Sequence, residues 1–159
     1  VAILLGPWAA SISITVALVI QALLFGDGGI SAIGVDCFNM AVALPFSGWA
    51  VYRAVSGRSP VTAGRRVWAA ALGGYIGLVL ASLLAGIEFG LQPILHHTAS
   101  GQALYCPYPM KIAIPAMVGQ HLLFFGWIEA VVTALVVKFL QKQDPSLLQP
   151  MVGGEPPRP

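Results

Sequence analysis

Two ionisable side chains, His121 and Glu129, lie inside an otherwise apolar run toward the end of this 159-residue sequence. Such a group in hydrocarbon costs about 2.5–3.5 kcal/mol on insertion scales unless it pairs or meets water, so it marks a candidate site for ion handling. On one helix the two would stand about 12 Å apart along the axis and about 80° apart around it. They cannot hold one metal ion together without groups from other helices. The plainer alternative is a His121 hydrogen bond to a backbone carbonyl and a paired Glu129 near the membrane interface. Glu88, toward the end of another apolar run, belongs to the same class. His96-His97, with Cys106 nearby, could form a metal cluster, but adjacent histidines point different ways and no ligand pair has zinc-site spacing. Asp27 and Asp36 flank a glycine-rich stretch that begins Phe25-Gly26-Asp27-Gly28-Gly29-Ile30. Carboxylates there would draw cations toward an opening; otherwise they are a solvated turn.

The elements that must position these residues are membrane-spanning helices. Hydrophobic residues make up 57% of the chain and charged residues 9%, against about 25% charged in soluble domains. A water-soluble fold could not cover its surface with so few charges. A helical span needs about 20 apolar residues, and four segments qualify: about Trp8 to Phe25, Phe38 to Val55, Val67 to Leu91 and Ile112 to Leu140. The expected fold class is therefore an all-α integral membrane protein, a bundle of four transmembrane helices within residues 1–142. Pro45 and Pro115 fall inside two of the spans, where neighbouring helices can satisfy freed carbonyls. Val1–Leu5, followed by Gly6-Pro7, reads as the stump of an earlier apolar segment ending in a turn. With no basic region before it this is not a signal peptide, and the sequence reads as an N-terminally truncated piece of a longer protein. Residues 143–159 hold five prolines and two adjacent glycines and read as a disordered tail.

Charge asymmetry orients the bundle. Arg53, Arg58, Arg65 and Arg66 fill the second connection, and Lys138 and Lys142 lie at the last exit. The other connections carry Asp27, Asp36, His96, His97 and a lone Lys111. The positive-inside rule puts the Arg53–Arg66 loop and the C-terminus in the cytoplasm. Small residues line the third span: Gly73, Gly74, Gly77, Ala81, Ala85, Gly86 and Gly90. They let helix backbones approach closely, either inside the bundle or against a partner subunit, with Gly73, Gly77, Gly86 and Gly90 as the docking candidates.

Several function classes drop out. The net charge of +2 is scattered rather than striped, unlike a nucleic-acid footprint. The sequence holds no Gly-x-Ser-x-Gly, no His-Glu-x-x-His and no Gly-x-x-x-x-Gly-Lys, so it carries no nucleotide-hydrolysing motif. Cys37 and Cys106 form no CxxC and read as ordinary thiols, although a disulfide is open to them on an oxidising side.

Several runs, in order, are Leu4-Leu5-Gly6-Pro7-Trp8-Ala9-Ala10, Gln21 to Gly29, Phe38-Asn39-Met40-Ala41, Pro45-Phe46 and Val51-Tyr52-Arg53. Gly86-Ile87-Glu88-Phe89-Gly90-Leu91-Gln92-Pro93, Leu104 to Pro109, Ile114-Pro115-Ala116-Met117 and His121-Leu122 follow. This ordered set resembles the CbiM/NikM family, the substrate-binding membrane subunit of cobalt and nickel energy-coupling factor transporters. Cobalt-type members look closest, judged by the Glu88–Pro93 and Tyr105–Pro109 runs.

The resemblance implies a seven-helix subunit in the prokaryotic cell membrane, with this chain supplying its last four helices. It implies capture of Co2+ or Ni2+ with no tightly bound cofactor. The implied partners are a CbiQ-like coupling subunit and CbiO-like ATPases, with a small CbiN-like or NikN-like accessory subunit as a further candidate. The family's metal-holding nitrogens, from a Met-His start and a later histidine, lie upstream of Val1, so no ligand can be carried onto a numbered position here. Asp27, Asn39, Glu88 and His121 remain as candidates for orienting a ligand or lining the mouth. Two other readings stay open: an assembly subunit without a ligand of its own, and an intramembrane metalloenzyme using His96, His97, His121 and Glu129.

Overall fold

The computed structural model describes residues 1–26 and 28–148, so Asp27 and residues 149–159 lie outside the described residues. Among the described residues four helices are long and apolar enough to cross a membrane: α1, Ala2–Phe25; α2, Ile30–Ser56; α3, Gly64–Leu95; and α4, Met110–Gln143. Each packs on its neighbour in sequence, with α3 in the middle, α2 on one side of it and α4 on the other. Trp8 of α1 meets Phe46 of α2 edge to face, ring centres 4.9 Å apart.

The spans differ from the sequence reading at their ends. Helix α1 is broken at Gly6 (φ 77°, ψ 164°), so the expected turn is there, but helix flanks it on both sides. Ile3 and Leu4 of the first piece pack on the core. Helix α2 begins at Ile30 rather than near Phe38. Within the stretch read as a disordered tail, Pro145–Leu148 forms a 3₁₀ turn with Leu148 buried; residues 149–159 lie outside the described residues. Pro145 fixes its own φ, and Asp144 Oδ1 accepts the Ser146 N–H at 3.0 Å.

Small residues decide how closely the helices approach. Gly73 and Gly77 face α2, where an added Cβ would stand 2.6 Å from Gly48 O and 3.0 Å from Leu44 O respectively. Gly86 and Gly90 face the start of α4, against Ile114 and Met110. All four are buried. Each of these four glycines thus packs against another helix of the same chain, as small residues allow.

The two ends of the bundle differ. At the arginine end, Tyr52, Ala69, Ala70, Val137 and Leu148 form a buried cluster. Arg66 donates to Tyr52 Oη at 3.0 Å and to Ser59 O at 2.8 Å, and Gln141 Nε2 donates to Val61 O at 2.7 Å. These bonds close that end. Toward the other end α2, α3 and α4 line a cavity.

Candidate functional site

Three spans contain a π-helical segment: Gln21–Phe25, Cys37–Ala43 and His121–Phe125. A π turn inserts one residue into the ladder, re-aims side chains and leaves carbonyls poorly paired. In α2 the segment lies just ahead of Pro45, whose ring would crowd the carbonyl of Ala41 in an ordinary turn. In α4 the Leu122 carbonyl accepts the Tyr75 hydroxyl of α3 at 2.9 Å. Gly126 makes room for that ring: a Cβ there would meet Tyr75 at 2.8 Å and His121 O at 2.6 Å.

The segments in α2 and α4 carry Asn39 and His121 to one cavity of about 680 Å³ between α2, α3 and α4. Glu88 of α3 joins them, as do Asp36, His96 and Cys106. Asn39, only 5% exposed, donates through Nδ2 to Glu88 Oε2 at 2.5 Å. Its Oδ1 is buried and has no hydrogen-bond partner among the described residues. His121 Nδ1 lies 2.7 Å from Met117 O. A carbonyl can only accept, so Nδ1 donates, and in the neutral ring Nε2 is then the acceptor. The carbonyl alternative and the cavity-lining role of His121 therefore hold together.

Several sequence candidates part company here. Asp27 lies outside the described residues. His96 lines the cavity with its ring 5.5 Å from that of Tyr105, whereas His97 pairs by backbone with Ala103. Glu129 is not a cavity residue. It accepts from Thr133 Oγ1 at 2.9 Å and packs beside Gly74. Cys37 and Cys106 are free thiols. Among the described residues no three His, Cys, Asp or Glu side chains converge to hold a metal ion. Sequence reasoning missed Tyr75 and Gly126 as supports of the His121 segment, and nothing in their spacing signals it. It also kept Asp36 and Cys106 apart from Glu88, because they lie on separate connections.

A family model described as "Cobalt uptake substrate-specific transmembrane region" matches residues 1–147. The chain is 52% identical over 147 residues to the "Probable fused nickel transport protein LarMN" of Lactiplantibacillus plantarum, covering 92% of this chain and 43% of that protein. It is 50% identical to the fused nickel transport protein NikMN of Rhodobacter capsulatus, over 94% of this chain and 43% of the relative. Identity to the cobalt transport protein CbiM of Geobacter sulfurreducens is 34%, over 94% of this chain and 40% of the relative. The chain thus spans less than half the length of these relatives, and identity runs higher to the nickel-named pair. A crystal structure described as a transition metal transporter superposes with a TM-score of 0.83 at 54% identity, covering 89% of this chain and 60% of that one. One described as a truncated transition metal transporter gives the same score at 52% identity, over 89% of this chain and 64% of the other. With four helices able to span a membrane and a matched family model over residues 1–147, the chain is a multi-pass membrane protein that belongs to the CbiM family.

Proposed function

We propose that this chain forms part of the metal-capture subunit of an energised importer of Ni2+ or Co2+. The observation that carries the reading is the single cavity to which α2, α3 and α4 bring Asn39, Glu88 and His121, in a chain similar to nickel and cobalt transport proteins. Oxygen from carboxylate or amide and nitrogen from imidazole suit a divalent first-row cation and the ligands around it. The ion is cargo, so the cavity need only bind it well enough to collect it and loosely enough to release it. Asn39, Glu88 and His121 surround that cargo and orient groups that ligate it, while Asp27 and Asp36 raise the local cation concentration at the mouth.

The cavity opens to the outside of the cell, and the arginine loop and the C-terminus face the cytoplasm, as the distribution of Lys and Arg favours. Energy comes from separate ATPase subunits through a membrane coupling subunit, with a small accessory subunit in the assembly; the fused names of two relatives favour the last. Cellular nickel and cobalt content, measured by elemental mass spectrometry with the full-length reading frame and its coupling subunits expressed together, tests the proposal. Accumulation of one metal above the vector control supports it and names the cargo. No accumulation of either favours the assembly subunit without a ligand.

A further inference from the structure

The most exposed question in the cavity is posed by a buried atom. Asn39 Nδ2 donates to Glu88 Oε2, and a carboxylate oxygen paired to an amide fixes which end of the amide is which. The Oδ1 atom is then an acceptor with no choice of role, in a side chain only 5% exposed and without a hydrogen-bond partner among the described residues. Buried polar groups are nearly always satisfied, and an exception calls for a specific reason. Two donors that line the cavity are engaged elsewhere: the Ser82 hydroxyl donates to Val79 O and His121 Nδ1 to Met117 O, each within its own helix. The wall also lacks, among the described residues, any trio of side chains that could cage a metal directly.

We infer that Asn39, clamped by Glu88, is a positioning residue whose Oδ1 accepts a hydrogen bond from a group coordinated to the metal ion, so that the cavity recognises a divalent cation through its outer coordination sphere. This rests on the metal-capture reading. The recognised chemistry is a donor made more acidic by the cation, either a coordinated water or a coordinated N–H group. Charge-assisted donors give the stronger hydrogen bonds, and the neighbouring Glu88 carboxylate favours the cation over a neutral molecule of similar size.

The test uses the full-length protein in detergent, with Ni2+ and with Co2+ as probes, and follows affinity calorimetrically. Asn39→Leu is expected to weaken binding roughly 10- to 100-fold, the usual loss for a group that orients a metal's ligands. Asn39→Asp sets two carboxylates together and also weakens binding. Adding Glu88→Gln to it restores a donor opposite the acceptor, and affinity recovers. X-ray absorption on the bound metal is expected to show the same coordination shell in wild type and Asn39→Leu. Ring-carbon scattering from an imidazole, present or absent, separates a coordinated N–H source from coordinated water. Thermal stability without metal is recorded for each variant, because a merely structural Asn39 would lower stability and leave the affinity of the folded fraction unchanged. Unchanged affinity in Asn39→Leu, no recovery in the swapped pair, or loss of an oxygen from the coordination shell each overturns the inference while the capture reading stands. A wild-type protein that binds neither ion removes both.

Discussion

Asn39 and Glu88 show how one hydrogen bond can tie a site to the stability of its scaffold. Removing the acceptor by Glu88→Leu strands a donor that is 5% exposed, which costs about 1–3 kcal/mol. A fall in the thermal midpoint of the detergent-solubilised protein measures it. Thr133→Val removes a hydroxyl donor from the half-buried Glu129, and its expected cost is smaller, about 1 kcal/mol. Equal effects from the two variants would mean that Asn39 finds another partner. Six of the eight basic residues lie at the closed end, whereas Glu88 lies on the cavity. The ionisable residues were legible as candidates from their apolar surroundings alone. Which of them meet was not, because Asn39 and Glu88 are 49 positions apart and share no periodicity.

The π segments are what a helical reading of the chain leaves out. Apolar run length locates the spans, yet one inserted residue re-aims everything on the next turn. In α4 that insertion depends on Gly126 and on the Tyr75 hydroxyl bound to Leu122 O. Gly126→Ala drives a Cβ into the His121 carbonyl and the Tyr75 ring. Overpacking of this kind costs about 1–3 kcal/mol, and it should weaken metal binding as well, since the His121 segment must shift. Gly119 lies two residues before that segment with open space around it, so Gly119→Ala is expected to be neutral or stabilising by up to about 1 kcal/mol. Thermal unfolding of the two variants, side by side, checks the contrast. The glycines of α3 carry the same lesson: their spacing announces close helix contacts, but whether the contact is internal or with a partner is a property of the folded bundle.

At the scale of the molecule, one end is tied shut and the other holds the cavity. Arg66 and Gln141 bind loop carbonyls at the closed end, where six of the eight Lys and Arg residues also gather. Single cysteines introduced by Arg58→Cys and Ser100→Cys, in a background carrying Cys37→Ser and Cys106→Ser, read the orientation. An impermeant thiol reagent applied to intact cells is expected to label the Ser100→Cys chain and spare the Arg58→Cys chain. The reverse pattern would turn the cavity toward the cytoplasm and remove outside capture.

By itself the sequence determined that the chain is a helical membrane protein, that it carries four apolar spans, and which family it resembles. Those properties are local or additive: the run of apolar residues per span, the sign of charge between spans, and ordered motifs along one chain. Only the tertiary structure decided that Asn39, Glu88 and His121 share a cavity, that Glu129 does not, and that Asn39 Oδ1 is left without a partner. Those facts depend on which face each helix turns to its neighbours, and in this bundle that is set by π-turn insertions and glycine contacts acting across chain separations that no spacing rule spans.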